Sequence, residues 1–274
     1  MKNYLYKVER YNNTAFRVIR FNNQRSSSTS SSDFEFDEHS QEEISLSRTK
    51  RNVRRICLSN DFEYFATWTI DSKLCDRYSL TDCVEKMKKL LKAFQRKYKD
   101  FKYIYVIEKH IDGAFHFHGL IKGVPIEVFE QFKIGDKMSY KIAGKVFKGC
   151  KIYHIPFFDN KLGYNTFTKI QFYNKCCNYI LKYISKDNIQ TTEGQRYFCS
   201  RGLSKGESYE VKYIPYELFD SQNSYSLDDL IIVRDLYLDE LKRDDLFSFG
   251  NLEDKKSIDF VIEGIKSCII PKRF

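Results

Sequence analysis

The sequence predicts an α+β fold: a mainly antiparallel central sheet with helices packed on one face, followed by a helical C-terminal extension. Three observations point there. Residues 62–70, 102–110 and 114–123 read as strands, residues 80–98 carry an amphipathic helical pattern between the first two, and Asp112-Gly113 joins the last two as a hairpin.

Composition sets the bounds. The 274 residues hold 46 Lys+Arg against 37 Asp+Glu, a formal +9 with pI near 9.0, and 42% are apolar. That suffices for one or two packed cores at roughly 100–200 residues per domain and excludes wholesale disorder. The basic excess suits a polyanionic partner reached through phosphate contacts. No run approaches the roughly 18–20 apolar residues of a spanning helix, and MKNYLYKVERYNN has charges where a secretion signal has its apolar core. A cytoplasmic protein with no membrane partner is expected. Eight cysteines at irregular spacings, with no C-x-x-C pair, read as reduced and mostly buried thiols rather than a zinc site.

Four segments follow from the composition. Residues 1–24 form an N-terminal arm, and residues 25–46, serine-rich then acidic, read as a disordered linker. Residues 47–206 are the main domain. Residues 207–274 are an acidic extension in which 217–245 hold nine acidic residues against three basic, a net of −6. The pattern LDDLIIVRDLYLDELKRDDLF there predicts an amphipathic helix.

Within the main domain, residues 62–70 alternate as a strand, and residues 80–98 form a helix capped by Thr81 or Ser79 with a lysine-rich outer face. Residues 102–110 and 114–123 make the hairpin. Residues 124–132 suit a short helix, 151–159 a strand, 175–187 a helix and 196–200 a closing strand.

The sharpest local feature is EKHIDGAFHFHGLI. His116 and His118 stand two apart on a strand and so share one face, where their imidazoles can converge on one ion. A three-residue loop Ile111-Asp112-Gly113, with Gly113 left-handed in a G1 bulge, sets Glu108 opposite His116; a two-residue loop sends it to the other face. Two imidazoles and a carboxylate with open positions suit Mn²⁺ or Mg²⁺. His110 shares the parity of Glu108 and is the reserve ligand. His154, on a separate strand, reads as structural. Thr67 and Thr69 can support the site by hydrogen bonds, although threonines are ordinary strand formers.

The second feature is NYILKYISKD. Tyr179, Lys182, Tyr183 and Lys186 fall at i, i+3, i+4 and i+7 and share one helical stripe. Read plainly, this is an amphipathic helix with half-buried tyrosines and lysines at the rim. Read chemically, a phenol is a weak nucleophile until a nearby lysine and a metal ion steady its developing charge.

Taken together the motifs resemble rolling-circle replication initiators of the HUH endonuclease superfamily, of plasmid or phage type. The resemblance runs from about Arg51 to Gly206: NDFEYFATWTID as first motif, EKHIDGAFHFHGLI as the histidine-hydrophobic-histidine motif, YILKYISK as the Tyr-x-x-Lys motif and RYFCSRGL as the closing segment. Many eukaryotic viral initiators add a helicase with a P-loop. This sequence has no G-x-x-x-x-G-K-[ST]; Gly144-Lys145 is followed by Val146.

The resemblance implies an HUH/ferredoxin-like nuclease core that nicks and rejoins single-stranded origin DNA, with the ion on His116, His118 and Glu108. It implies attack by Tyr179, Tyr183 or both in alternation, assisted by Lys182 and Lys186, and a 5′-phosphotyrosine intermediate. The lysine face of residues 86–99, including Lys88 and Lys92, and Arg201 would hold the DNA backbone, while a host helicase and polymerase supply unwinding and synthesis. Other readings are a relaxase or single-strand transposase of the same superfamily, a non-enzymatic nucleic-acid-binding module, and a structural or capsid-associated protein.

Overall fold

Strand-forming residues at both chain ends and a serine-rich break after the first of them divide the molecule. The computed structural model describes residues 4–12, 15–22, 38–132, 151–185, 196–211, 224–228 and 231–237. The chain forms two units, one of residues 37–204 and one in which residues 1–36 join residues 205–274.

Among the described residues the second unit is a five-stranded antiparallel sheet. Its strands are β1 (Tyr4–Arg10), β2 (Ala15–Asn22), β10 (Glu207–Val211), β11 (Ser224–Asp228) and β12 (Ile231–Tyr237), in the order β10-β1-β2-β12-β11. This corrects the expected C-terminal helix. Residues 231–237 pair with β2 from Ile231 opposite Phe21 to Tyr237 opposite Ala15, and the β-branched Ile231, Ile232 and Val233 suit a pleated strand. The N-terminal arm and the C-terminal extension are therefore one sheet; the part of the expected helix past Tyr237 lies outside the described residues.

The larger unit has, among the described residues, a seven-stranded antiparallel sheet of order β6-β7-β8-β3-β5-β4-β9. These are β3 (Tyr64–Thr69), β4 (Lys102–Lys109), β5 (Phe115–Lys122), β6 (Glu130–Gln131), β7 (Ile152–His154), β8 (Asn165–Lys169) and β9 (Tyr197–Cys199). Its helices include α1 (Glu38–Leu58), α2 (Leu80–Lys97), α3 (Pro156–Asp159) and α4 (Tyr173–Ile180). The α+β class with its central antiparallel sheet is the one the sequence predicts.

Local chemistry explains most departures. The linker expected over residues 25–46 gives way at its end to α1, where Leu46, Val53, Ile56 and Cys57 recur at helical spacing and are buried. The strand expected over 151–159 stops at His154 because Pro156 opens α3, where its missing N–H costs nothing. Over 124–132 the expected helix shortens to a 3₁₀ turn, Ile126–Val128, followed by the two-residue strand β6. The helix expected over 175–187 starts at Tyr173 and tightens to a 3₁₀ turn at Leu181–Tyr183. Ser79, not Thr81, caps α2, its hydroxyl accepting from Asp82 N at 3.3 Å.

Helices cover the sheet on both faces, where one was expected. Cys83, Met87, Leu91 and Phe94 of α2 pack with Trp68, Tyr105, Ile107 and Phe117 in one core. Pleat alternation sends Thr67, Thr69, Glu108, His116 and His118 to the other face, where the α4 segment lies: the Tyr183 ring stacks on His118 with centroids 3.9 Å apart. Tyr173 ties α4 to α1, its hydroxyl donating to Cys57 O at 2.6 Å and accepting from Phe62 N at 3.0 Å. The described cysteines are free thiols, with Cys57 raised well above its ordinary pKa by burial and by Cys177.

Candidate active site

The hairpin sets the register. His110 N donates to Ala114 O at 2.8 Å and Gly113 N to His110 O at 2.9 Å, closing a three-residue loop, and Gly113 has φ +87°. Glycine meets that left-handed angle without a Cβ penalty. Glu108 consequently pairs with His116 across β4 and β5.

Strand β3 braces the histidines from the other side. Thr67 pairs with His118 and Thr69 with His116. Each threonine Oγ1 stands 3.3 Å from its histidine's Nδ1. That contact at Nδ1 orients each ring. His118 Nε2 is 2.6 Å from Glu108 Oε2. Burial pushes the Glu108 carboxyl up, but the His118 hydrogen bond and the charges of His118, His116 and Lys182 outweigh it and leave it lowered. Burial, then His110 and His118, lower His116.

The tyrosine segment meets this row from above. Tyr179 is 42% exposed, whereas Tyr183 is 7% exposed. The Tyr179 oxygen accepts two hydrogen bonds, from Lys182 Nζ at 2.5 Å and from the Tyr183 hydroxyl at 3.0 Å. Burial, followed by the bond to Tyr179, drives the Tyr183 phenol far up, so it stays a protonated donor. Lys182 Nζ also lies 3.8 Å from the Tyr179 ring centre. Phe65 completes the cluster at 5.6 Å from Tyr179 and 6.1 Å from His118. It escaped the sequence reading, although it shares the parity of Thr67 and Thr69.

Other expected residues sit elsewhere. Lys186 lies outside the described residues. His110 is exposed, its ring 5.0 Å from that of His116 and its Nδ1 3.4 Å from Asp112 Oδ1. His154 is a strut, bound through Nδ1 to Asp159 at 2.7 Å, and β7 lies three interstrand spacings, about 14 Å, from β5. Lys88 and Lys92 project from α2, on the sheet face opposite the histidines, with Lys88 Nζ 4.1 Å from the Phe198 ring. Arg201 stands at the far end of β4: its carbonyl accepts from Lys102 Nζ at 3.3 Å, six residues or about 20 Å along the strand from Glu108.

Among the described residues no three His, Cys, Asp or Glu side chains stand in metal-holding geometry. Glu108 is closed onto His118, and His116 is stacked with His110. The donor set nevertheless fits a hard or borderline divalent ion: two imidazoles held at Nδ1 by hydroxyls and one ionised carboxylate on the same face.

Residues 63–188 match the model of an ORF2-type replication-associated protein family. The match supports a replication initiator. It spans β3 to the tyrosine segment and so contains Glu108, His116, His118, Tyr179, Lys182 and Tyr183. No curated protein and no solved structure matches the chain. Among the described residues no helix is long and apolar enough to cross a membrane.

Proposed function

We propose that this chain is an HUH-type initiator that nicks and rejoins single-stranded origin DNA of a plasmid or phage replicon through Tyr179. The observation that carries this reading is Tyr179, a half-exposed residue whose hydroxyl is held by Lys182 and Tyr183 beside the His118–Glu108 pair. His116, His118 and Glu108 would hold Mn²⁺ or Mg²⁺. Such an ion, when bound, supplies Lewis-acid polarisation and a fixed orientation for the scissile phosphate.

The chain's own residues do the rest. Tyr179 loses its proton and its oxygen bonds to phosphorus while the bond to the 3′ oxygen breaks; that oxygen takes up a proton and becomes the free 3′-OH. Lys182 and Tyr183 keep donating to the phenolic oxygen as charge builds on it. The phosphotyrosyl bond conserves the energy of the cleaved one, so the 3′-OH of another end can reverse the step without ATP. Two donors point at Tyr179, and the buried Tyr183 is one of them, which supports Tyr179 as the nucleophile and Tyr183 as its positioning residue. In this reading a host helicase and polymerase supply strand separation and synthesis.

Trapping the covalent adduct on labelled single-stranded origin DNA tests this. The adduct is expected in wild type and Tyr183→Phe, on the peptide holding Tyr179, and absent in Tyr179→Phe. An adduct on Tyr183 in the wild type would overturn the assignment.

A further inference from the structure

A second exposed aromatic stands at the hairpin end of the same sheet. Tyr78 precedes the Ser79 cap of α2 and is 55% exposed. It is braced on several sides. Its backbone N donates to Asp76 Oδ1 at 3.0 Å, its hydroxyl accepts from Arg77 at 2.8 Å, and the Arg77 guanidinium carbon lies 5.0 Å from its ring centre. Arg77 is itself anchored to the hairpin: it donates to Asp112 Oδ2 at 3.2 Å, and its carbonyl accepts from Phe115 N at 2.9 Å. A Cβ built on Gly113 would meet Tyr78 Cδ1 at 3.7 Å, so the ring lies against the loop that sets the register of Glu108.

From there a chain of contacts leads to the histidines. Asp112 Oδ1 is 3.4 Å from His110 Nδ1, and the His110 ring is 5.0 Å from that of His116. Tyr78 and Arg77 therefore flank the row at its His116 end, while the tyrosine segment meets it at the His118 end; that a single strand runs across both ends rests on the nuclease reading above.

Fixing a side chain costs entropy that is usually recovered by burying its apolar surface. Tyr78 is fixed by hydrogen bonds and left half in water. A held ring more than half exposed, beside a guanidinium, has the form of a stacking platform for unpaired bases, which accept such a surface irrespective of sequence. We propose that Tyr78, with Arg77 beside it, stacks an unpaired base of the single strand next to the cleavage point, and so positions the strand before any chemistry occurs.

The test separates stacking from charge. The non-cleaving Tyr179→Phe protein is titrated, with anisotropy readout, against a labelled oligo-dT and against an abasic deoxyribose-phosphate strand of the same length. Adding Tyr78→Ala is expected to weaken oligo-dT binding about tenfold while abasic binding stays the same, and Tyr78→Trp to restore the oligo-dT affinity. Equal loss on both strands, or no loss on oligo-dT, would overturn the platform. A thermal midpoint for Tyr78→Ala close to its parent's shows that the loss is not unfolding. Absence of any adduct from wild type that binds oligo-dT normally would sink the nuclease reading alone, since the oligo-dT and abasic titrations do not depend on cleavage.

Discussion

On one face of the seven-stranded sheet, Trp68, Tyr105, Ile107 and Phe117 pack under α2, and none is more than 4% exposed. On the other face the same three strands present Thr67, Thr69, Glu108, His116 and His118. Each polar residue of the site is one position away from a large core residue: Trp68 lies between the threonines, Phe117 between the histidines, Ile107 beside Glu108. Because a close-packed interior yields little, the dry face holds the backbone from which the wet face projects. Placement and chemistry thus belong to different faces of the sheet and can be broken independently.

The largest effect belongs to the wet face. Tyr179→Phe is expected to lower adduct formation on the order of 10⁴-fold or more, with the unfolding midpoint nearly unchanged. His116→Ala should lose most of the Mn²⁺-dependent cleavage as well, on the order of 10³-fold, because the remaining donors hold an ion poorly against water. Cleavage by that variant that is both normal and indifferent to EDTA would remove the metal from the mechanism.

Phe117→Ala attacks the dry face one residue away. It should cost about 3–5 kcal/mol in urea unfolding, since a fully buried ring leaves a cavity. Its activity loss should follow the unfolded fraction and vanish when measured well below the transition. A retained fold with lost chemistry would show that the two faces are not separable.

Smaller effects sharpen the register. Thr69→Val removes the hydroxyl 3.3 Å from His116 Nδ1 and should weaken Mn²⁺ binding about ten- to hundredfold by calorimetry, with stability little changed. Gly113→Val forces a β-branched residue to φ +87°, a strain of about 1–2 kcal/mol, and should weaken Mn²⁺ binding by up to about tenfold although residue 113 is no ligand. An unaltered affinity would mean the loop does not govern where Glu108 sits.

The smallest expected change has the opposite sign. The Tyr105 hydroxyl is buried without a hydrogen-bond partner among the described residues. Tyr105→Phe should therefore raise stability, by about 1 kcal/mol, and leave cleavage untouched. Destabilisation would reveal a partner for that hydroxyl.

Much of the site was legible because its determinants are local. Asp112-Gly113 marks the hairpin and leaves a loop of two or three residues; the structure has three, and period-2 alternation then aligns Glu108, His116 and His118 whatever packs on the sheet. The Tyr179, Lys182 and Tyr183 stripe was equally local, since any helix brings i, i+3 and i+4 together. Where Lys88 and Lys92 stand relative to the histidines was not legible for a different reason: their amphipathic helix was visible, but not which face of the sheet it covers.

Whatever depends on neighbours a few residues apart could be read from the sequence: the hairpin, the stripe of α2, the parity of the histidines and the pairing of lysine with tyrosine. Tertiary structure decided everything that depends on a distant partner. It made residues 231–237 a strand by offering β2 as an edge, against a helical apolar period that alone was ambiguous. It brought Arg77 to Asp112 across 35 residues of sequence. It also distinguished two tyrosines one turn apart, burying Tyr183 on His118 and leaving Tyr179 in solvent. Burial is a property of the surface a residue meets, and that surface is assembled from strands whose order no short stretch of sequence encodes.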